Sequence, residues 1–354
     1  MNEQNSDDLL APWLNDPTVS EILVDGYQRF YFEKAGKLVD VESPFPDNDH
    51  LLSYVTKLAA AHGQKLNAAH PMVDLNLERS RATVVIPPVS TIGPVLVIRK
   101  FTKHTFTFDD LVKGEALSGQ METFLKACIE GRLNILVAGG TGSGKTTILN
   151  TLANTIPVDE RLILVQNVEE LDLSGHRLVS LVEKPASPES EAITVKDLIF
   201  QALKMRPERI IINEFRGDEI VAMLEAVNTG HDGSMGTIHA TSPREALNRL
   251  ETMVAVAQPS MPLLTIRERL SWGFDLIVQC QRLPDGVRRI VAITEVQGLV
   301  GDSTALQDVF VYRESGQDAG GKPQGQFEAT GHRPQFSKRL SDRNLNLPQD
   351  FFAA

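Results

Sequence analysis

Residues Gly139 to Thr146 read Gly-Gly-Thr-Gly-Ser-Gly-Lys-Thr and follow the apolar run Asn134 to Ala138. Glycines at this spacing let successive backbone N–H groups curl around a polyphosphate, and a following helix aims its positive dipole end at the same charge. The pattern predicts a nucleotide-binding loop of Gly140, Thr141, Gly142, Ser143 and Gly144, continued by Thr147. Lys145 is expected at the β- and γ-phosphates, and the Thr146 hydroxyl as a ligand of Mg²⁺. These residues limit the chain to nucleoside triphosphate chemistry and leave open what the energy drives.

A second element, Arg209-Ile-Ile-Ile-Asn-Glu-Phe-Arg216, has the form of a buried strand that delivers an acid at its C-terminal end. Ligands of open α/β sheets collect at that edge. Glu214 is therefore the residue to orient or deprotonate an attacking water, and a surface ion pair with Arg216 is its plainer alternative. Arg216 is also grouped with the nucleotide-binding set, and Asn213 is placed to fix Glu214 or to bond a phosphate.

The third element runs Asn228-Thr-Gly-His-Asp-Gly-Ser-Met-Gly-Thr-Ile-His239-Ala240. His231 and His239 have neither a cysteine nor a third histidine nearby, and their spacing suits no simple zinc finger. A γ-phosphate sensor fits better: Gly233 and Gly236 would permit close backbone approach, and an imidazole can donate to an anionic oxygen. A satisfied core histidine is the default for His239 taken alone.

The elements that must position these groups are legible in outline. Residues 1 to 100 suggest a small α+β domain, with a hairpin around Asp25-Gly26, a helix along Leu51, Val55 and Ala59, and strands at Ala82–Ile86 and Val95–Ile98. Phe101 to Asp110 lacks periodicity and is expected to be an interdomain linker. Beyond it, a helical face through Met121, Phe124, Leu125, Cys128 and Ile129 ends at Gly131. Strand runs at 133–138, 162–166 and 209–213 alternate with helical patterns, which predicts an α/β domain over 111–354 with a parallel sheet covered on both faces. Asp285-Gly286 marks a second hairpin, and the segment Glu314 to Gln324 is expected to be a mobile loop.

Composition narrows the class. A chain of 354 residues suggests two domains, and no apolar stretch is long enough to span a bilayer. Met1 to Asp8 has no basic or apolar region of a secretory signal. Cys128 and Cys280 lie in apolar-periodic stretches and suggest core thiols in a reducing compartment. A net charge of −11 disfavours a general nucleic-acid scaffold, so no sequence-specific nucleic-acid partner is expected.

The order of glycine-rich loop, acidic strand and Gly-His segment carries a family resemblance. Met205 to Glu251 closely resembles the ATPases of type II and type IV secretion systems, and within them the tight-adherence (Flp) pilus assembly branch. Asp16-Pro-Thr-Val-Ser-Glu-Ile-Leu-Val, Ser80-Arg81, Ile98-Arg-Lys-Phe101, Ile293-Thr-Glu-Val and Ala329-Thr-Gly-His-Arg-Pro-Gln-Phe336 support it. The resemblance implies a cytoplasmic homohexameric ring at the inner face of the cell membrane, with a RecA-like ATPase domain hinged to the N-terminal domain. ATP and Mg²⁺ would be bound between them, and an inner-membrane platform protein would be the partner. It further implies that Arg81 and Arg99 neutralise charge on the transferring phosphoryl group. One departure stands out: the family's acidic pair after the second core strand aligns with Gln166 and Asn167. Neither can act as a base, though Gln166 can hold a water; either hydrolysis relies wholly on Glu214, or Glu169 or Glu170 substitutes.

Two other classes remain open on the sequence: a nucleic-acid-stimulated motor, and a nucleotide-binding regulatory ring with little turnover, the latter motivated by Gln166 and Asn167.

Overall fold

The computed structural model describes residues 9–34, 37–77, 80–101, 105–173, 175–186, 190–317 and 323–353; Met1 to Asp8 lie outside the described residues. The chain divides into two compact units, one of Met1–His104 with the segments Val168–Glu170 and Lys184–Ile193, the other of the remainder.

The first unit contains α1 (Ala11–Leu14), β1 (Val19–Asp25), β2 (Phe30–Lys34), β3 (Lys37–Val41), α2 (Asn48–Ala61), β4 (Met72–Leu77), β5 (Ser80–Val85) and β6 (Val95–Lys100). Its strands form an antiparallel sheet in the order β3-β2-β1-β6-β5-β4. The β1–β2 turn passes through Gly26 at φ +65°, a left-handed position suited to glycine. Asp47 caps α2 by accepting from the His50 N–H at 2.7 Å. Alternate residues Ile22, Val24, Ala82, Val84, Leu96 and Ile98 turn one sheet face into the core, where Leu51, Val55 and Ala59 of α2 meet them. Strands β3 and β4 escaped the sequence reading: β3 buries no residue, and β4 turns Val73, Leu75 and Leu77 inward over only six residues, with Leu75 alone fully buried.

The second unit contains α3 (Phe108–Lys113), α4 (Gly119–Glu130), β7 (Ile135–Gly139), α5 (Lys145–Asn154), β8 (Arg161–Gln166), β9 (Arg177–Val182), α6 (Val195–Ala202), β10 (Arg209–Phe215) and α7 (Glu219–Asn228). It continues with β11 (Met235–His239), α8 (Pro243–Ala257), α9 (Leu263–Gly273), β12 (Leu276–Arg282), β13 (Arg288–Val300), β14 (Ser303–Gln317), β15 (Pro323–Ala329) and α10 (Ser337–Ser341). Its nine-stranded sheet runs β15-β14-β13-β12-β7-β11-β10-β8-β9. The strands from β12 to β9 are parallel and β13, β14 and β15 add antiparallel. Apolar cores lie on both faces: one gathers α4 and α5, the other α6, α7, α8 and α9. This is the α/β fold expected, an antiparallel-sheet unit followed by a mixed-sheet unit with a parallel centre.

Helix α3 occupies part of the stretch expected to be linker. Thr107 accepts from the Asp110 N–H at 3.2 Å while Asp110 accepts from the Thr107 N–H at 2.9 Å, a capping box that starts a helix in four residues without periodicity. Residues 102–104 of that stretch lie outside the described residues. Likewise β14 and β15 pair Glu314 with Gly325 and Gln317 with Pro323, so strand covers the flanks of the expected loop, whose residues 318–322 are not described.

The late motifs acquire a structural role. Glu295 of β13 is 1% exposed and accepts from the Gln335 N–H at 2.6 Å, with the His332 Nε2 at 2.7 Å. Thr294 donates to Asp308 at 2.7 Å, and Thr330 to the Asp308 carbonyl at 2.6 Å. The motifs around Glu295 and His332 thus tie the segment after β15 to the sheet. Cys128 and Cys280 are buried free thiols, and burial pushes Cys280 up to about 12. Among the described residues no helix is long and apolar enough to cross a membrane.

Candidate active site

Sheet order assembles the site. Strand β11 lies between β7 and β10, with His239 opposite Gly139 and Ile238 opposite Phe215. The C-terminal ends of three parallel strands therefore deliver the loop after β7, His239 and Glu214 to one edge.

The loop is shaped by backbone that only glycine adopts easily. Gly142 has φ +70° and Gly144 φ +95°. At Gly139 a Cβ would stand 2.3 Å from Ser143 Oγ and 2.6 Å from the Cys280 carbonyl, so close packing of β7 against β12 demands glycine there. Ser143 Oγ and Lys145 Nζ both donate to the Gly140 carbonyl, at 2.8 and 2.9 Å. Thr141 is exposed at the loop tip, and Thr146 and Thr147 open α5 half-buried.

Lys145, 8% exposed, also reaches His239: Nζ lies 3.4 Å from Nδ1. On the other side of the ring, Nε2 lies 2.9 Å from Glu214 Oε1. Glu214 Oε2 in turn accepts from Arg216 Nε at 2.7 Å. Desolvation by burial holds the His239 imidazole below its ordinary range, the Lys145 charge adds to this, and Glu214 opposes it. A neutral ring donating from Nε2 to the carboxylate and accepting at Nδ1 from the ammonium satisfies all three groups. The ion pair of Glu214 with Arg216 and its place at the site prove to be one arrangement.

A bulge aims Glu214. The β10–β11 register pairs Ile212 with Gly236 and Phe215 with Ile238, leaving Asn213 and Glu214 opposite Thr237 alone. Thr237 Oγ1 donates to the Asn213 carbonyl at 2.5 Å and pins the irregularity. Ile210 and Ile212 face the core of α6–α9, and unbroken alternation would turn Glu214 to that side and Phe215 away. With the extra residue, Phe215 enters that core and Glu214 meets His239. Asn213 thus serves the bulge through its carbonyl.

The glycines of the Gly-His segment act differently from expectation. A Cβ on Gly236 would stand 2.5 Å from the Phe215 ring, and one on Gly233 2.6 Å from the Arg209 guanidinium. They make room for protein side chains. Arg209 is fully buried, with its guanidinium donating to Glu160 at 2.9 and 2.7 Å and to the Ile129 carbonyl at 2.7 Å.

Other expected residues stand apart. His231 precedes β11 at the edge opposite the loop, and its Nδ1 lies 3.0 Å from the Ala226 carbonyl at the end of α7; the structure gives it a helix-capping position, away from the phosphate loop. Gln166 is 1% exposed, accepting from the Leu171 N–H at 2.9 Å and donating to Ser180 Oγ at 3.2 Å, which ties β8 to the following segment and to β9. Glu170 belongs to the short segment grouped with the first unit. Arg81 and Arg99 lie directly opposite each other on β5 and β6 of that unit. Asp74 pairs with Arg81 at 2.8 Å and Glu21 with Arg99 at 3.7 Å, offsetting a like-charge cross-strand pair.

Among the described residues no group of three His, Cys, Asp or Glu side chains could hold a metal ion. The donor set, a loop of N–H groups with Lys145 and a threonine at the helix start, fits a cation that arrives with phosphate oxygens and keeps its waters.

Sequence reasoning missed Arg288, whose Nε donates to the Gly142 carbonyl at 2.9 Å. Its signal was the Asp285-Gly286 hairpin, which needed the strand order to be seen beside the loop.

A family model described as "Type II/IV secretion system protein" matches residues 3–319. A Mycobacterium tuberculosis relative is 30% identical over 331 residues, 87% of this chain and 94% of that protein. The conjugal transfer protein TrbB of Rhizobium radiobacter is 29% identical over 297 residues, 82% of this chain and 88% of TrbB. The solved ATPase DotB of Legionella pneumophila superposes with a TM-score of 0.59 at 18% identity, covering 81% of this chain and 79% of DotB, and shares the fold.

Proposed function

The chain belongs to the type II/IV secretion system protein family, and from that premise we propose that it works as a homohexameric ring driving an inner-membrane platform protein. It is a secretion- or pilus-system ATPase, converting ATP and water to ADP and phosphate. Within the family we place it in the tight-adherence pilus branch, on the motifs around Asp16, Ser80, Glu295 and His332. The ring would sit in the cytoplasm against the membrane's inner face.

One observation carries the assignment of roles: Lys145, His239, Glu214 and Arg216 are linked in series at the end of the phosphate loop. Lys145 and the loop N–H groups bind the β- and γ-phosphates. Glu214 accepts a proton from the attacking water, or orients it. His239 senses the γ-phosphate, because Lys145 must redirect part of its hydrogen bonding when phosphate enters. Thr146 would hold Mg²⁺, which when bound supplies charge neutralisation on the phosphates. Arg81 and Arg99, side by side on one sheet face, are the cations offered to the transferring group.

Phosphate release by the purified chain, with Lys145→Ala and Glu214→Gln beside it, tests this reading. Loss of turnover in both is expected, and full activity in both overturns it. Mass measurement with ATP tests the ring, and a species smaller than a hexamer under all nucleotide conditions removes it. The likeness to TrbB favours a second reading, work in conjugal transfer. Co-purification with a pilus platform rather than a conjugative one separates the two.

A further inference from the structure

Arg288 and Arg289 open β13 side by side and meet different fates. Arg289 is 5% exposed and committed: its guanidinium donates to Asp285 at 2.8 Å and Glu115 at 3.2 Å and lies 5.2 Å over the Tyr312 ring. Strand alternation sends Arg288 to the other face, where it is exposed and has no ion pair among the described residues.

What Arg288 touches instead is the phosphate loop. Its Nε donates to the Gly142 carbonyl at 2.9 Å. Its aliphatic stem runs along Gly144, where a Cβ would stand 3.2 Å from Cδ. These are the two loop glycines with positive φ, 70° and 95°. A loop built to present N–H groups to an anion leaves carbonyls that need donors of their own. Arg288 supplies one from a neighbouring hairpin. The same hairpin steadies β11, since Gln279 of β12 donates to the Ala240 carbonyl, just after His239, at 3.1 Å.

We propose that Arg288 is a positioning residue for the nucleotide. It braces the loop from the β12–β13 hairpin, keeps the loop N–H groups aimed at the phosphates, and brings to their side a positive charge unmatched by any acid among the described residues. The bond to a cationic donor is of the stronger kind, and the charge it adds favours an anionic ligand over an empty loop. This rests on the reading of Gly139 to Thr146 as the ATP site.

The test measures binding of a fluorescent ATP analogue and steady-state hydrolysis for wild type, Arg288→Ala, Arg288→Lys and Lys145→Ala. Arg288→Ala is expected to raise the nucleotide Kd and the KM for ATP by about tenfold while kcat stays within about twofold, as loss of a loop brace and a positive charge that favour bound nucleotide equally in ground and transition states requires. Arg288→Lys restores part of the loss through its charge, and added guanidinium restores part of it to the alanine variant. The melting temperature without nucleotide falls only slightly, because the bond lies at an exposed loop. An Arg288→Ala KM within about twofold of wild type, with binding lost in Lys145→Ala, overturns the inference alone. So does a nucleotide-free melting temperature that falls in step with KM. Wild-type protein that binds no ATP overturns the site itself.

Discussion

Nε2 of His239 lies 2.9 Å from Oε1 of Glu214, and the opposite nitrogen of the same ring lies 3.4 Å from Lys145 Nζ. One imidazole thus links the group expected to hold phosphate and the group expected to activate water. Any change at the phosphate end is felt at the carboxylate through a hydrogen bond, with no backbone movement required. In the proposed mechanism His239 is the place where binding and chemistry couple.

Substitution at the two ends separates their roles. Glu214→Gln is expected to lower kcat by about 10²–10⁴-fold and leave ATP binding nearly intact, since the amide keeps the shape and loses the base. Lys145→Ala is expected to weaken ATP binding itself. Titration with a fluorescent nucleotide beside a phosphate-release assay reads both, and equal effects on binding would contradict the division.

The low-lying imidazole predicts a pH dependence. His239 binds its proton more weakly in the folded chain than in the unfolded one, because burial and Lys145 disfavour the charged ring. Its contribution to stability is therefore fully present above about pH 6.5, the ordinary histidine value, and declines as pH falls from there through the folded value. Denaturation midpoints between pH 8 and 5 should drop less in His239→Gln than in wild type. Parallel curves would remove this account.

Gly236→Ala should impair catalysis from a distance. The new methyl group meets the Phe215 ring, next to Glu214 in the bulge. Overpacking of this kind costs about 1–3 kcal/mol. The expected result is a lower melting temperature together with a fall in kcat that exceeds any change in KM. A variant with lowered stability and unchanged kcat would show that the bulge is not what aims Glu214.

Gln166→Glu addresses the altered acidic box. Gln166 is buried and uses its amide at both ends, on the Leu171 N–H and on Ser180. A glutamate there trades a donor for a buried charge, with a stability loss of about 1–3 kcal/mol, and is expected to leave hydrolysis no faster. A rate several-fold above wild type would restore the view of this position as a catalytic one.

Arg209→Leu removes the fully buried partner of Glu160 and leaves it with the half-buried Arg132 as its ion pair among the described residues. Breaking such a pair typically costs about 3–5 kcal/mol, so chemical denaturation should shift by that order while any folded fraction keeps its affinity for ATP. A shift under about 1 kcal/mol would show that Arg132 compensates.

Much of this site was legible because its chemistry is local. A phosphate loop needs glycine, lysine and threonine at fixed spacing within one strand–turn–helix, so Gly139 to Thr146 announce it without reference to the rest of the chain. Glu214 and His239 were legible as the last residues of apolar runs. Buried helices such as α4 and hairpins such as β1–β2 followed from periodicity and turn residues, whereas β3 and α3 did not, because exposed strands and short capped helices carry little of either.

Two placements that spacing along the chain does not show have one cause. His231 and His239 looked equivalent in the chain, yet β11 runs between them and sends them to opposite edges of the sheet. Gly233 and Gly236 looked like room for a ligand, and they are room for Arg209 and Phe215. Sequence spacing records what lies along the chain; it cannot say which neighbour fills the space beside a residue.

By itself the sequence determined that this protein handles a nucleoside triphosphate, because the donors that cradle phosphate come from eight consecutive residues. Only the tertiary structure decided how those donors are wired to Glu214. The strand order β7-β11-β10 sets His239 between Lys145 and Glu214, one extra residue in β10 turns Glu214 toward it, and the β12–β13 hairpin brings Arg288 to the loop. Each of these is a lateral relation between strands, fixed by hydrogen-bond register across the sheet, and register leaves no mark in the order of residues along any one strand.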